Sequence, residues 1–486
     1  MVMPEMGEVP AEKNKTTTLA LVGGLVAIVV GTATVGGGWL AFSRLNGGGP
    51  QPESVLPSDT VAFAKFDLNP SAGQKVAAVR FALRFPEAKG KVTEQSDLRK
   101  VAFEQLQEDG KTLKGVDYAT DVEPWLGERF GVGLLPGAST KDEPIAIAVL
   151  AVTDEDKAAA ALPRIAESSK TACGVREGFA LCSEDKTVVS LLTETDQPTT
   201  LADSPGFAAD MLALGEDGVA AAWVDLKRVG DLADDVRVGT GLLGTPLPDV
   251  PRGGRLAVAL RFAGPHLELA GRVTDMPVAW PAGTGGGTGV TTLPASTLGA
   301  FGLTGAAEQV KAGWGAAGAF TEGLEEAEKE LGVSLPEDLY AALGDRLTFA
   351  YGGMTADDEV RAALVTGGDK AAVGRLVNGI NKQGTGFFPL HQDQADGHPV
   401  VATSQDYARE VASAGGLGDT EAFREAVPGA KDARAVLYLD IAGMLKEHAK
   451  DLDAGDRARY EPFSALGVST RGQGTTAEFT VRLTTR

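Results

Sequence analysis

Three aspartates stand where apolar runs end. Asp67, Asp225 and Asp440 each follow such a run and precede Leu or Ile (Phe66-Asp67-Leu68, Val224-Asp225-Leu226, Leu439-Asp440-Ile441). Strand-end carboxylates gathered into one pocket could serve a hydrolase as general acid and base. The plainer role is to end a strand or cap the next helix, which aspartate does well, and the second half carries Leu303-Thr304 at the position of the first acid. A second constellation is His391 and His398, flanking a turn with Asp393 and Asp396, which has the residue types of a metal site. The matching hairpin of the first half has no histidine, Phe179 standing where His398 does, so a solvated turn is the better reading. No Gly-x-Ser-x-Gly elbow, His-Glu-x-x-His helix, Walker loop or Cys-x-x-Cys occurs. No cofactor is expected.

The sharpest chemical expectation is a disulfide. In ACGVREGFALC a two-residue turn at Glu177-Gly178 sets Cys173 opposite Cys182 in a non-hydrogen-bonded pair, with Cα atoms about 4.5 Å apart. A type I turn with Gly178 as a bulge would set Cys173 against Leu181 instead. Asp396-Gly397, at the matching place of the second half, is a favoured two-residue turn and supports the first register. These are the only cysteines, and an oxidising exterior favours their pairing.

The side of the membrane on which this chemistry sits is decided by Leu19 to Phe42, a run without charge. As a helix it is about 36 Å long, enough to cross a hydrocarbon core of about 30 Å. Lys13 and Lys15 precede it and Arg44 follows, favouring a cytoplasmic N-terminus and an extracytoplasmic bulk. The run exceeds a signal-peptide h-region and has no small-x-small cleavage site directly after it. Gly23, Ala27 and Gly31 fall four apart, a face on which two spans could pack as a homodimer. The formal net charge is −21, and residues 1–50 contribute three acids against three bases, so the excess lies beyond the span. Such a field repels nucleic acid and anionic head groups. The partners expected are the bilayer itself and an envelope protein, polymer or apolar ligand.

Leu56-Pro57, Asp59-Thr60-Val61-Ala62, Asp67 through Lys75 and Phe85-Pro86, downstream of one span and a Gly-Gly-Gly-Pro linker, resemble an actinobacterial family of membrane-anchored proteins. That family is catalogued only as a domain of unknown function. The resemblance implies location and architecture, and it carries over no catalytic residue. The long Pro/Gly/Tyr-rich cytoplasmic tail common in the family is absent here.

Internal repetition organises the rest. Leu56 to Val76 is echoed from Leu293, Leu126-Gly127-Glu128-Arg129 matches Leu343-Gly344-Asp345-Arg346, and Trp223-Val224-Asp225-Leu226 matches Tyr438-Leu439-Asp440-Ile441. Further matches keep the same order up to Arg272-Val273-Thr274 and Arg482-Leu483-Thr484. The expected organisation is a cytoplasmic tail (1–15), a transmembrane helix (16–42), a Gly/Pro-rich linker (43–55), a first lobe (56–275), an interlobe linker (276–292) and a second, homologous lobe (293–486). Each lobe reads as α+β, a mainly antiparallel sheet with helices. Leu267, Leu269 and Val273 alternate with Glu268 and Arg272, as Phe479, Val481 and Leu483 do with Glu478, Thr480 and Arg482, which predicts sheets with the polar face exposed. A helix after Thr153 is predicted, with a threonine cap and a kink or early end at Pro163. Another helix, after the turn at Asn69-Pro70, carries Val76, Val79, Leu83 and Phe85. A whole half duplicated without a duplicated polar signature favours a non-catalytic, membrane-anchored envelope module that binds or supports. The alternative is an envelope hydrolase with an unmarked acidic site.

Overall fold

The computed structural model describes residues 49–486 except 69, 86–96, 98, 101–102, 105–106, 108–112, 138–143, 196–198, 216–217, 233–252, 265, 278–286, 315–323, 356, 384–388, 414 and 450–451. Among the described residues no helix is long and apolar enough to cross a membrane. The expected span, with Gly23, Ala27 and Gly31, lies outside them, as does the tail 1–15. The fold is α+β, and the chain forms two compact units, one from the described parts of 49–70 and 95–257, the other from those of 71–94 and 258–486.

In the first unit β1 (Ala62–Asp67), β2 (Leu126–Leu135), β3 (Ile145–Val152), β4 (Ala172–Arg176), β5 (Phe179–Ser183) and β6 (Ala220–Asp225) run in the order β6-β1-β2-β3-β5-β4, every neighbour antiparallel. Ile147 and Val149, alternate residues of β3, are fully buried. Trp125, Tyr118, Ala158, Leu162 and Ala180 form a core against one face. The helix that supplies Ala158 and Leu162 spans Glu155–Ser169, and two expectations about it are corrected. Its cap is Asp154, which accepts from Lys157 N at 3.1 Å, because the Thr153 hydroxyl instead donates to the Trp125 carbonyl. Nor does Pro163 end it: the helix runs on to Ser169 and stops at Lys170, φ 58°. A proline forfeits only its own bond to the preceding turn, and buried Ala158 and Leu162 hold the helix down.

The second unit holds β7 (Arg255–Ala263, whose residues up to Ala257 are counted with the first), β8 (His266–Thr274), β9 (Gly299–Thr304), β10 (Arg346–Met354), β11 (Val360–Thr366), β12 (His391–Ala395), β13 (His398–Ala402), β14 (Ala435–Leu439), β15 (Phe463–Gln473) and β16 (Thr476–Thr485). Their order is β12-β13-β11-β10-β9-β14-β15-β16-β8-β7. Tyr407, Phe423 and Tyr438 anchor a core on one face, with Phe423 edge-on to Tyr438 at 5.1 Å.

The helix Ala72–Ala82 also belongs to this second unit. Its buried face is not the one that carries Val76 and Leu83, which are half exposed, but the one with Gln74, Lys75, Ala77 and Ala78. The Gln74 amide explains the rotation, donating to the Phe262 carbonyl at 3.0 Å and accepting from Phe262 N at 2.7 Å. It satisfies both backbone groups of one β7 residue, which an apolar side chain could not do.

The order β6-β1-β2-β3-β5-β4 recurs as β14-β9-β10-β11-β13-β12. Registers recur too. Phe63 pairs with Trp223 and Gly133, and Ala300 with Tyr438 and Ala350. Cys173 pairs with Cys182 as Gln392 does with Val401. The division between compact units does not fall at 276–292, because β8 pairs along its length with β16.

Candidate functional site

Within the first unit the strand-end aspartates Asp67 and Asp225 do not converge. Asp67 closes β1 opposite Arg129, with an ion pair of 3.2 Å. Asp225 closes β6, and its Oδ1 accepts from Arg228 N at 3.0 Å, capping the helix Leu226–Leu232. Because β1 and β6 are antiparallel, Asp67 N meets the Val219 carbonyl at one end and Asp225 N the Val61 carbonyl at the other. Six residues at about 3.3 Å each separate the two acids by about 20 Å. Asp440 repeats the Asp225 role, accepting from Gly443 N at 2.8 Å at the head of Ile441–Glu447. His391 opens β12 opposite Ala402, while His398 faces Ala395 beside the turn, so the hairpin holds the histidines at opposite ends. Among the described residues no group of His, Cys, Asp or Glu could hold a metal ion.

The disulfide is present. Cys173 and Cys182 face each other across β4 and β5 with Cα atoms 4.2 Å apart. Glu177 (φ 49°) and Gly178 (φ 77°) make the turn, and Asp396 (φ 49°) and Gly397 (φ 83°) make its counterpart. Both central residues have positive φ, the type I′ geometry for which Asn or Asp followed by Gly is preferred.

The polar face of the β8–β16 ladder is the reverse of what alternation predicts. Glu268 is 3% exposed and His266 7%. Glu268 Oε1 takes a 2.7 Å ion pair from Arg261, and its Oε2 pairs with Arg482, whose Nη1 donates to the Glu425 carbonyl at 3.0 Å. The helix Glu421–Ala426 therefore covers a face whose charges satisfy one another across strands. Burial opposes the charge on Glu268, and Arg482 and Arg261 overcome it, holding its carboxyl below the ordinary range. Burial pushes the His266 imidazole below its usual value against the pull of Glu425, 3.6 Å away. Arg272 pairs with Glu478 at 2.5 Å, the same exchange in mirror image about the Ala270–Thr480 pair. The repeated spacing Glu268-x-x-x-Arg272 and Glu478-x-x-x-Arg482 was the available sequence signal for this network.

The opposite face of the second unit is apolar. Leu269, Val481, Val468, Leu437, Phe301, Phe349 and Leu364 face one another in turn across β8, β16, β15, β14, β9, β10 and β11. A parallel row runs Leu267, Leu483, Leu466, Leu439, Gly299, Tyr351. Phe301, Phe349 and Leu364 are 36%, 37% and 39% exposed. At the corresponding registers of the first unit stand Ala222, Ala64, Val132 and Ala148. The same framework thus carries large apolar side chains in one series and small ones in the other.

Over residues 21–184 the chain matches a family described as a protein of unknown function, DUF3352. No curated protein matches. Two solved structures, crystal forms III and I of TP0453, are similar at 13% and 11% identity, covering 48% of this chain and 83% and 82% of theirs. Both have a TM-score of 0.24, too low to carry an argument.

Proposed function

We propose that the protein is a non-catalytic binding module of the cell envelope, held at the membrane by a single N-terminal span and built from two homologous lobes. The matching strand order and registers of the two series support the duplication. The apolar rows of the second unit carry the binding role. Seven strands at about 4.8 Å spacing make a row about 29 Å wide, and three of its large side chains stand more than one-third exposed side by side. Adjacent exposed apolar groups of that size are a usual mark of an interaction surface, and the ligand they fit is itself apolar.

Two measurements test the reading. A neutral naphthylamine probe, fluorescent in apolar surroundings, should bind the full chain, and Phe301→Ser with Phe349→Ser should weaken its binding at least about tenfold. Each phenyl removes about 1.5–3 kcal/mol of apolar contact when fully covered, so unchanged probe affinity in the double variant refutes the surface. Protease treatment of intact cells should remove a C-terminal tag; its survival while known external proteins are shaved refutes the topology.

A further inference from the structure

The two series give each charged position an internal control. Arg129, at the start of β2, is neutralised by Asp67 on β1. Its counterpart Arg346 opens β10 opposite Thr304, which cannot neutralise it. The Arg346 Nε is buried without a hydrogen-bond partner, and no carboxylate of the described residues lies within 4.0 Å of this guanidinium. Arg261 on β7 faces Glu268, but Arg471, its counterpart on β15, stands opposite a Glu478 that is engaged by Arg272. Arg471 is exposed and likewise has no ion pair or hydrogen bond to its guanidinium among the described residues.

Arg434 stands between them. Thr304 N donates to its carbonyl at 2.8 Å and its own N donates to the Thr470 carbonyl at 2.7 Å, so it lies beside Thr304 and Arg471. Its Nε donates to the Gly472 carbonyl at 2.7 Å. Facing residues of antiparallel strands point to the same side. Arg346, Thr304, Arg434, Arg471, Glu478 and Arg272 therefore form one row at the rim of the face that carries Thr348, Val436 and Ser469. Adjacent strands put Arg434 and Arg471 about 5 Å apart, with Arg346 about 10 Å beyond. Arg346, Arg434, Arg471 and Arg272 stand in this row with Glu478, and neither Arg346 nor Arg471 has an ion pair among the described residues, in a chain of net charge −21. Two acids close by in the chain point elsewhere or into solvent: Asp345 turns its Oδ1 toward Gly367, and Asp432 is exposed on the turn Ala430–Asp432.

We propose that this row binds a multivalent oxyanion, phosphate or carboxylate, with Arg346 and Arg471 as the two unfilled forks and Arg434 between them. A buried guanidinium nitrogen left without a partner is costly, and a planar fork matches either oxyanion bidentately. The overall negative field repels anions, so attraction at this rim must be built locally. The inference does not depend on the apolar face or on where the chain resides.

Calorimetric titration of the full chain in neutral detergent tests it, with inorganic pyrophosphate and citrate as probes at about 0.15 M salt. At least one probe should bind, and the tighter one identifies the ligand chemistry. Arg346→Ala and Arg471→Ala should each weaken it about tenfold, the value of one charge-assisted contact. Arg346→Lys, which keeps charge without the fork, should lose several-fold, and serves alone if the alanine variant does not fold. Arg409→Ala, exposed on the helix Gln405–Ser413, should change nothing. Failure of both probes to bind, or equal binding by the Arg346→Ala, Arg471→Ala double variant, overturns the proposal.

Discussion

Glu268 and Glu478 occupy mirror-related places in one ladder, each opposite an arginine of the other strand, and they differ in burial. The Glu268 side chain is 4% exposed and that of Glu478 44%. Replacing Glu268 by glutamine keeps the shape and removes the charge that both the Arg261 and Arg482 side chains, 22% and 19% exposed, pair with. Breaking a fully buried pair costs about 3–5 kcal/mol. Residual hydration of both arginines lowers the expectation to about 2–3 kcal/mol. Glu478→Gln should cost at most about 1 kcal/mol, since water already screens its pair. Urea unfolding followed by tryptophan fluorescence reads the difference as a midpoint about 1 M lower for Glu268→Gln and nearly unchanged for Glu478→Gln. Amide exchange along β16 should accelerate in the first variant only. Equal midpoint shifts for the two would refute the argument that burial, rather than pairing, sets the energy of these ions.

Reducing the Cys173–Cys182 bridge should destabilise the first unit by about 2–3 kcal/mol, because the closed loop is short; Cys173→Ala with Cys182→Ala should show the same loss, and exchange in the β12–β13 hairpin should not respond. Acidification should lower the thermal midpoint in two stages. The folded state binds protons less readily than the unfolded chain at His266, held below 6.5, and at Glu268, held below 4.5, so stability present above those values is lost as the pH falls through each window; a midpoint that is flat or rises on acidification contradicts this. Gly344→Ala should cost more than about 2 kcal/mol, because φ is 60° with ψ −145° and a Cβ would lie 2.4 Å from the Gly367 carbonyl carbon. Gly474→Asn, at φ 59° in open space, should change the midpoint little.

What could be read from the chain was local. The turn at Glu177-Gly178 fixes its own register through two positive φ values, and the cysteine pairing follows from counting outward. The strand-end aspartates also behave as their type suggests, as caps or near ion pairs. Alternation located β8 and β16 but assigned their faces wrongly. Burial of Glu268 depends on Arg482, more than 200 positions away, and on a helix that covers the pair. The arginine row is further from view, since Arg272, Arg346, Arg434 and Arg471 become neighbours only once the register of six strands is known. Gln74 misled for the same reason: nothing near it in sequence reveals that its amide completes the backbone of Phe262.

The pairing of β8 with β16 also orders events in time. β8 is complete at Thr274, yet its partner is the last strand of the chain, Thr476–Thr485, made roughly 200 residues later. Until those final residues emerge, β8 keeps a row of unpaired amides and carbonyls, and Glu268 lacks Arg482. An open strand edge of this kind is a template for pairing with another chain. A chain interrupted before Thr476 would therefore leave β8 open to the wrong neighbour, and aggregation of such fragments should exceed what loss of one strand suggests.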